Sequence, residues 1–341
     1  MNAFNFPHIL NLYKFGKGLK LKMKILVVQN RMGIGDMVIF LPFIEAISKK
    51  FDTPVNLLVK ENTKAKEYLK NNKYIDQIIN LDRNKEKGIH RGVFGFLKLS
   101  KELKKYKFDK IFIFNSSLRY NLLAKYIGIK DIKQYPLFRK KNQHIILTAK
   151  NFINKSLNED IESDPKILIE KSEIENAKKQ FGISENKINV LLGIGGSGDT
   201  KRIPSKTFIE FIKLSLEKYD CFFFLATGNN NKEIEILNDI LNSNYKNKCK
   251  ALNHLTISEI LPVIKNCKIA VCNDSSFSHL SAALDLKTIV LMSDTPIEYG
   301  NYSPRMFPII PDGEKSVTHD TLGKDKINPK KIFENFSKLL S

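Results

Sequence analysis

The sequence contains few cysteines and no long apolar run. Its four cysteines, Cys221, Cys249, Cys267 and Cys272, form no C-x-x-C pair. We therefore expect reduced side chains in a cytoplasmic protein, and neither a zinc site nor a disulfide framework. No apolar run approaches the roughly 20 residues that a membrane-spanning helix needs. Residues 1–23 lack a signal peptide's apolar core and cleavage site, so we expect a basic leader that is disordered or weakly held at a membrane surface.

Acidic residues are also scarce. The chain has 36 Asp and Glu against 56 Lys and Arg, which gives a formal net charge of +20. One interpretation is compositional drift spread over the surface, since 49 of the basic residues are lysines. The other is attraction to an anionic partner, such as nucleotide phosphates, a phosphorylated glycolipid or an acidic membrane face. Nucleic acid is not an expected partner, because the chain has no groove-reading motif or base-stacking signature.

The length and the alternation of elements predict an α/β protein. A chain of 341 residues exceeds one ordinary core and suits two domains of roughly 150 residues. Short apolar runs typical of buried strands alternate with helical patterns, which predicts parallel sheets with helices on both faces. We expect strands at 24–29, 55–59, 75–81, 110–114, 187–192, 221–226, 269–272 and 288–292.

The expected architecture is two doubly wound, Rossmann-like domains that face each other across a cleft. The first domain covers residues 24–160 and the second residues 165–327. The polar, acidic segment 158–165 (NEDIESDP) is the linker candidate. A last helix at 328–341 is expected to pack back toward the first domain.

A capped helix follows the strand expected at 269–272. Asp274 lies where an N-cap belongs, and Ser275 and Ser276 fill the first turn. The free backbone N–H groups and the positive end of the helix dipole would form an anion site, typically for phosphate. His279 lies one turn further on the same face. The alternative is a well-capped helix with an incidental histidine.

A glycine-rich loop at 192–204 (LGIGGSGDTKRIP) follows another strand. Its glycines let backbone N–H groups approach a ligand closely, and Lys201 and Arg202 add positive charge. It is not a P-loop, because Asp199 follows Gly198 where that motif needs Lys. These features suit a diphosphate.

The same loop matches the dinucleotide fingerprint at Gly193, Gly195 and Gly198. The next helix begins too late for that motif, however, and no acidic residue ends the following strand near Thr227 to hold a ribose. A dehydrogenase of the Rossmann type is therefore the weaker interpretation.

A third stretch, Gly33-Ile-Gly35-Asp36 with Pro42, follows the first strand. A carboxylate at the mouth of this strand would face the cleft from the opposite domain. Taken alone, Asp36 is more typical of a helix N-cap than of a catalytic residue.

The order and spacing of these stretches (GxGDxxxxxP, GGSGDTKRxP and NDSSFSHLSAAL) resemble glycosyltransferase family 9, the ADP-heptose:lipopolysaccharide heptosyltransferases. The resemblance covers residues 24–310 and implies the two-domain GT-B fold. It implies an inverting transfer from a nucleotide-diphosphate sugar donor to a lipid-linked oligosaccharide of the lipopolysaccharide core. The first domain would bind the acceptor and the second the nucleotide sugar. The enzyme would be cytoplasmic, with peripheral contact to the inner face of the inner membrane.

The resemblance also implies roles for individual residues. Asp36 would be the base that deprotonates the acceptor hydroxyl, and Lys201 would stabilise the departing diphosphate. The residues that would bind substrate are Gly35, Gly195, Gly196, Ser197, Arg202, Asp274, Ser275, Ser276 and His279. No cofactor and no metal are expected, and the chain contains no D-x-D pair.

The sequence departs from the family pattern at three places. The mildest is at Ser275 and Ser276, where members often show Thr and Gly. Ile203 stands where many members carry Trp, and the loop 228–231 (GNNN) has no acid of its own, although Glu233 follows on the next helix. ADP as the nucleotide therefore stays open. The alternatives are a family 9-like transferase with another nucleotide sugar and a different glycan acceptor, and a non-catalytic nucleotide-sugar-binding protein.

Overall fold

The structure is a computed structural model that describes residues 22–84, 87–137 and 144–341. The described part of the first half forms a five-stranded parallel sheet in the order β3-β2-β1-β4-β5. Its strands are β1 (Ile25–Gln29), β2 (Val55–Val59), β3 (Ile75–Asn80), β4 (Lys110–Ile113) and β5 (Asp131–Gln134). Its helices are α1 (Ile34–Lys50), α2 (Ala65–Tyr68), α3 (Gly92–Lys104), α4 (Leu118–Tyr126) and α5 (Ile145–Leu157).

The second half forms a six-stranded sheet in the order β11-β10-β9-β6-β7-β8, and its ladders are also parallel. A helix, α6 (Lys171–Phe181), precedes it. Its strands are β6 (Ile188–Gly193), β7 (Cys221–Ala226), β8 (Cys249–Ala251), β9 (Ile269–Asn273), β10 (Lys287–Leu291) and β11 (Met306–Ile309). Its helices are α7 (Ser205–Lys218), α8 (Asn231–Leu241), α9 (Ile257–Lys265), α10 (Ser276–Ala283) and α11 (Pro329–Leu340).

Each sheet is buried between helical layers, as continuous apolar strands require. On the first sheet, α3 and α4 cover one face through Leu99, Leu103 and Leu123, while α1 and α5 pack together on the other face. The core on the α1 side continues into the second half, where α1 contacts α10. The two halves therefore meet along these helices, and the cleft opens beside them.

The C-terminal helix α11 does not lie where the sequence predicts. Its buried residues Ile332 and Phe336 pack into the core of the second half, where the Phe336 ring lies 5.3 Å from that of Phe211 on α7. Its contacts are with α7 and β10. The helix thus completes the cover of the second sheet, because its apolar stripe matches that surface. The expected packing on the first domain is wrong.

Helix α1 begins earlier than its sequence suggests. Gly33 has φ +99°, which sets the turn, and the helix starts at Ile34 and continues through Pro42. Asp36 therefore lies in the first turn and is not the N-cap. The basic leader expected at residues 1–23 lies almost wholly outside the described residues. In the described part of the chain, no helix has the length and apolar character needed to cross a membrane.

Candidate active site

A cleft of about 770 Å³ lies between the two halves. The carboxyl ends of β1, β6 and β9 open toward it, which is the usual ligand edge of a parallel α/β sheet. Of the eleven residues that the sequence predicts for the site, ten line this cleft: Gly35, Asp36, Gly195, Gly196, Ser197, Lys201, Asp274, Ser275, Ser276 and His279.

Arg202 is the exception. It does not line the cleft; instead its guanidinium donates to the carbonyl oxygen of Gly196 at 3.0 Å and pairs with Asp199. Arg202 therefore holds the glycine loop in shape from behind. Its positive charge is shared with Asp199 and not presented to a ligand.

Asp36 reaches the cleft from the first turn of α1. Its carboxylate lies 3.6 Å from the Arg31 guanidinium. Burial raises the pKa of Asp36, and the positive charges of Arg31 and Lys201 only partly oppose that effect. A carboxylate with a raised pKa is a stronger base than an ordinary aspartate, which suits proton abstraction.

The approach of α1 to α10 depends on Gly35. A Cβ on Gly35 would lie 2.5 Å from Cδ2 of the His279 ring, closer than atoms can pack. His279 is buried, and its Nδ1 lies 2.8 Å from the hydroxyl of Tyr302, against which the ring stacks. Burial lowers the pKa of His279 to about 4, so the imidazole is neutral at neutral pH.

Asp274 does not cap α10, contrary to the sequence-based expectation. The N-cap is Ser275, and the Asp274 carboxylate instead accepts a hydrogen bond from Nζ of Lys201 at 2.7 Å. Burial alone would raise the pKa of Asp274, but the positive charge of Lys201 and its hydrogen bond hold that pKa below its ordinary value. The pair fixes the Lys201 ammonium in the cleft beside the N-terminus of α10.

Glu233 on α8 is a cleft residue whose position the sequence did not reveal. Its carboxylate is buried and accepts a hydrogen bond from the Gly196 backbone N–H at 2.8 Å. A Cβ on Gly195 or Gly228 would lie 2.6 Å or 2.5 Å from its oxygens. These glycines therefore admit the carboxylate, and only the fold brings residues 37 positions apart together.

The cleft contains further residues that the sequence did not predict for the site. They come from loops far apart in the chain: Arg31, Thr227, Asn229, Asn253, Thr295, Tyr299 and His319. Within the described residues, no group of three or more His, Cys, Asp or Glu side chains is placed to hold a metal ion. The charged groups that face the cleft are those of Arg31, Asp36 and Lys201, together with the ion pair of Lys64 and Glu67, while Asp274 and Glu233 are buried in its wall.

The fold and the sequence resemble those of known glycosyltransferases. Residues 96–319 match the model of glycosyltransferase family 9 (heptosyltransferase). Lipopolysaccharide heptosyltransferase 1 of Campylobacter coli is 23% identical over 334 residues, covering 89% of this chain and 93% of that protein.

Two solved structures of similar proteins cover nearly the whole chain. The family 9 glycosyl transferase from Veillonella parvula DSM 2008 has a TM-score of 0.74 at 18% identity, covering 95% of this chain and 99% of that one. E. coli heptosyltransferase WaaC with ADP has a TM-score of 0.68 at 15% identity, covering 93% of this chain and 100% of that one. At these identities the structural likeness establishes the fold.

Two facing doubly wound domains with a ligand cleft between them are the GT-B fold. The family model matches more than half of the chain. The protein therefore belongs to glycosyltransferase family 9 and is a glycosyltransferase.

Proposed function

We propose that this enzyme transfers a heptose, or a related sugar, from a nucleotide-diphosphate donor to an acceptor of the lipopolysaccharide core. The observation that carries the proposal is the convergence of Asp36, from the first half, on Lys201 and the N-terminus of α10, from the second. A base and a site for a leaving group then face each other across one cleft. Two of the similar proteins, lipopolysaccharide heptosyltransferase 1 of Campylobacter coli and E. coli heptosyltransferase WaaC with ADP, support the choice of donor and acceptor.

The donor diphosphate is proposed to lie between the glycine loop and α10. Lys201 and the free N–H groups at the start of α10 would stabilise the charge that builds on the departing diphosphate. Two buried hydroxyls that line this part of the cleft, those of Thr227 and Ser275, have no hydrogen-bond partner within the described residues. Buried polar groups are normally paired, so a ligand is their expected partner.

The position of Glu233 is relevant to which nucleotide the donor carries. Its carboxylate lies beside the glycine loop, where an acid could accept hydrogen bonds from ribose hydroxyls. The missing acid in the loop 228–231 is thereby replaced by one on the next helix. We therefore infer that ADP remains a suitable nucleotide despite that departure in sequence.

The proposed reaction is a direct displacement. Asp36 accepts the proton of the acceptor hydroxyl, the hydroxyl oxygen bonds to the anomeric carbon, and the bond from that carbon to the nucleoside diphosphate breaks. Attack opposite the leaving group inverts the configuration. No metal is proposed for this step, because protein cations and backbone N–H groups would offset the phosphate charge.

The acceptor side of the first half carries unpaired cations. Burial, together with the nearby positive charge of Arg83, lowers the pKa of Lys60 and that of Arg119. None of the three forms an ion pair with a carboxylate in the described part of the chain. Like charges held together without counter-ions favour an anionic ligand, and an anionic core oligosaccharide at the cytoplasmic face of the inner membrane would fit.

A donor panel tests the proposal. The purified enzyme is incubated with a heptose-less core acceptor and, in turn, ADP-heptose, UDP-sugars and GDP-sugars, and the products are read by mass spectrometry. We expect transfer from ADP-heptose, and proton NMR of the product should show the anomeric configuration inverted. Transfer from another donor alone would overturn the donor assignment, and donor binding without any transfer would favour a non-catalytic sugar-binding protein.

A further inference from the structure

An apolar face lies on the outer layer of the first half. Thirteen large apolar side chains are exposed in the described residues, and seven of them lie on α3, on α4 or in the turn before α3. They are Ile89, Val93, Phe94, Leu97, Leu118, Leu122 and Tyr126, which we call the outer apolar face. Phe94 is 88% exposed and Val93 is 74% exposed. Single exposed apolar residues are normal, but a group on two neighbouring helices marks an interaction surface.

The two helices present this face together. The Phe96 ring on α3 lies 5.8 Å from the Tyr126 ring on α4. The Arg119 guanidinium lies 5.4 Å from the Phe96 ring and donates to the carbonyl oxygens of His90 and Gly92. The starts of α3 and α4 are thus tied side by side.

Positive charge surrounds the outer apolar face. Residues 87–130 contain eleven basic and two acidic residues, a net +9 out of the chain's +20. Lys98, Lys101 and Lys105 on α3 and its C-cap, and Lys125 on α4, are exposed. Within the described residues these lysines form no ion pair. Their long side chains can reach past apolar neighbours to anionic groups.

The face also lies at the substrate edge of the fold. Helices α3 and α4 begin after β3 and β4, at the carboxyl edge of the first sheet. Helix α1, which carries Asp36, begins at the same edge. A surface that docked there would lie next to the acceptor side of the cleft.

We propose that the outer apolar face docks this enzyme onto an anionic lipid bilayer. Val93, Phe94 and Leu97 would enter the boundary between headgroups and acyl chains, and the flanking lysines would contact anionic headgroups. The inference deepens the proposed function, since it delivers the cleft to an acceptor that is held in a membrane. Charge complementarity selects a bilayer over a neutral protein partner.

Vesicle flotation of the full chain tests the proposal. The vesicles are phosphatidylcholine, with or without phosphatidylglycerol. We expect binding to the anionic vesicles that weakens as salt rises, because exposed charges are screened over about 8–10 Å at ordinary ionic strength. Val93→Ser with Phe94→Ser should weaken it about tenfold or more, and so should Lys98→Glu with Lys101→Glu.

Matched controls separate the face from general surface effects. Leu168→Ser removes an apolar side chain that is 71% exposed elsewhere, and Lys206→Glu with Lys330→Glu makes the same charge change on the second half. Both should bind vesicles like the wild type. Residues 1–21 are the same in every variant, so their contribution cancels.

Two results would overturn the proposal. One is equal vesicle binding by the face variants and the controls. The other is self-association without vesicles, measured by light scattering, that the Val93 and Phe94 substitutions abolish, because the face would then join copies of the chain. Transfer to a delipidated acceptor in solution should not change in any of these variants. Failure of docking is thus distinguishable from failure of the proposed reaction.

Discussion

Three titratable side chains meet where α1 approaches α10. The pKa of each is set by a different balance between burial and the neighbouring charges. The pKa of Asp36 rises because burial outweighs its positive neighbours. The pKa of Asp274 falls because Lys201 offsets its burial, and burial lowers that of His279 to about 4. The cleft therefore holds a carboxyl group of raised basicity, a fixed ion pair and an imidazole that is neutral at neutral pH.

Asp36→Asn tests the base. The substitution keeps the size of the side chain but cannot accept the proton, so turnover should fall by roughly 10²–10⁴ while donor affinity stays nearly unchanged. Wild-type turnover should also fall as the pH drops through the pKa of Asp36, because only the carboxylate accepts a proton. Stopped assays across pH and calorimetry with the nucleoside diphosphate measure both. Turnover within a factor of two of the wild type would remove Asp36 from this role.

Lys201→Ala should harm the site more than the loss of one cation would. It leaves the Asp274 carboxylate buried and uncompensated beside the proposed diphosphate, and a buried charge without its partner is costly. We expect nucleoside diphosphate affinity to fall by about 10- to 100-fold. Lys201→Ala with Asp274→Asn should recover affinity but not rate, since no positive charge returns. A double variant that binds no better than the single one would contradict this account.

His279 should make stability depend on pH. In the unfolded chain its pKa is near 6.5, whereas burial lowers it to about 4 in the folded state. Between these values only the unfolded chain binds the proton, so the free energy of unfolding should fall by about 1.4 kcal/mol per pH unit as the pH drops. Urea denaturation of the wild type and of His279→Gln at pH 7 and pH 5 isolates this contribution. Equal pH dependence in the two proteins would show that His279 is not responsible.

At the scale of elements, the sequence predicts the central strands well. Strand β2 lies at 55–59, where its apolar run VNLLV indicates, because central strands are buried on both faces. Strands β5 (DIKQ), β8 (CKA) and β11 (MFPI) were not predicted, since all three are short edge strands. The first two lack a continuous apolar run, and the third contains a proline. Helix α6 carries little signal in the sequence, because KSEIENAKKQF is mostly polar.

In the candidate site, too, some features have a local sequence signal and others depend on the fold. Local patterns found the loop with Gly195 and the start of α10, because a turn and a helix start have sequence signals of their own. The ionic partner of Asp274 and the position of Glu233 depend on which strands become neighbours in the sheet. No local pattern carries that information, and an aspartate before a helix is more often a cap.

Gly35→Ala tests the contact between α1 and α10. Helix propensity alone would favour alanine by about 1 kcal/mol. The new Cβ would instead overlap the His279 ring, which Tyr302 holds in place, so we expect a loss of about 1–3 kcal/mol in the free energy of unfolding. Gly198→Ala is the control, since its Cβ would meet no atom closer than 3.8 Å. A Gly35→Ala protein as stable as this control would argue against the close approach.

At the scale of the whole molecule, positive charge is proposed to replace a metal ion. The net charge of +20 should raise the local concentration of anionic substrates and stabilise the leaving group. Transfer in solution should survive excess EDTA at close to its untreated rate and should fall as salt rises, because screening weakens exposed cation–phosphate attraction. Rate assays with EDTA, then with added Mg²⁺ or Mn²⁺, measure this. Loss of transfer in EDTA and its return with either ion would show that a metal is needed.

The contact of Gly35 with His279 also limits how the cleft can open. If α1 and α10 stay in contact, the two halves can separate only by rotating about that point, as in a hinge motion. Displacement in a rotation grows with distance from the pivot. Asp36 is next in sequence to Gly35, which lies at the pivot, so its displacement would be small. The mouth of the cleft could then widen for a bulky substrate while the distance between the base and the diphosphate site changes little.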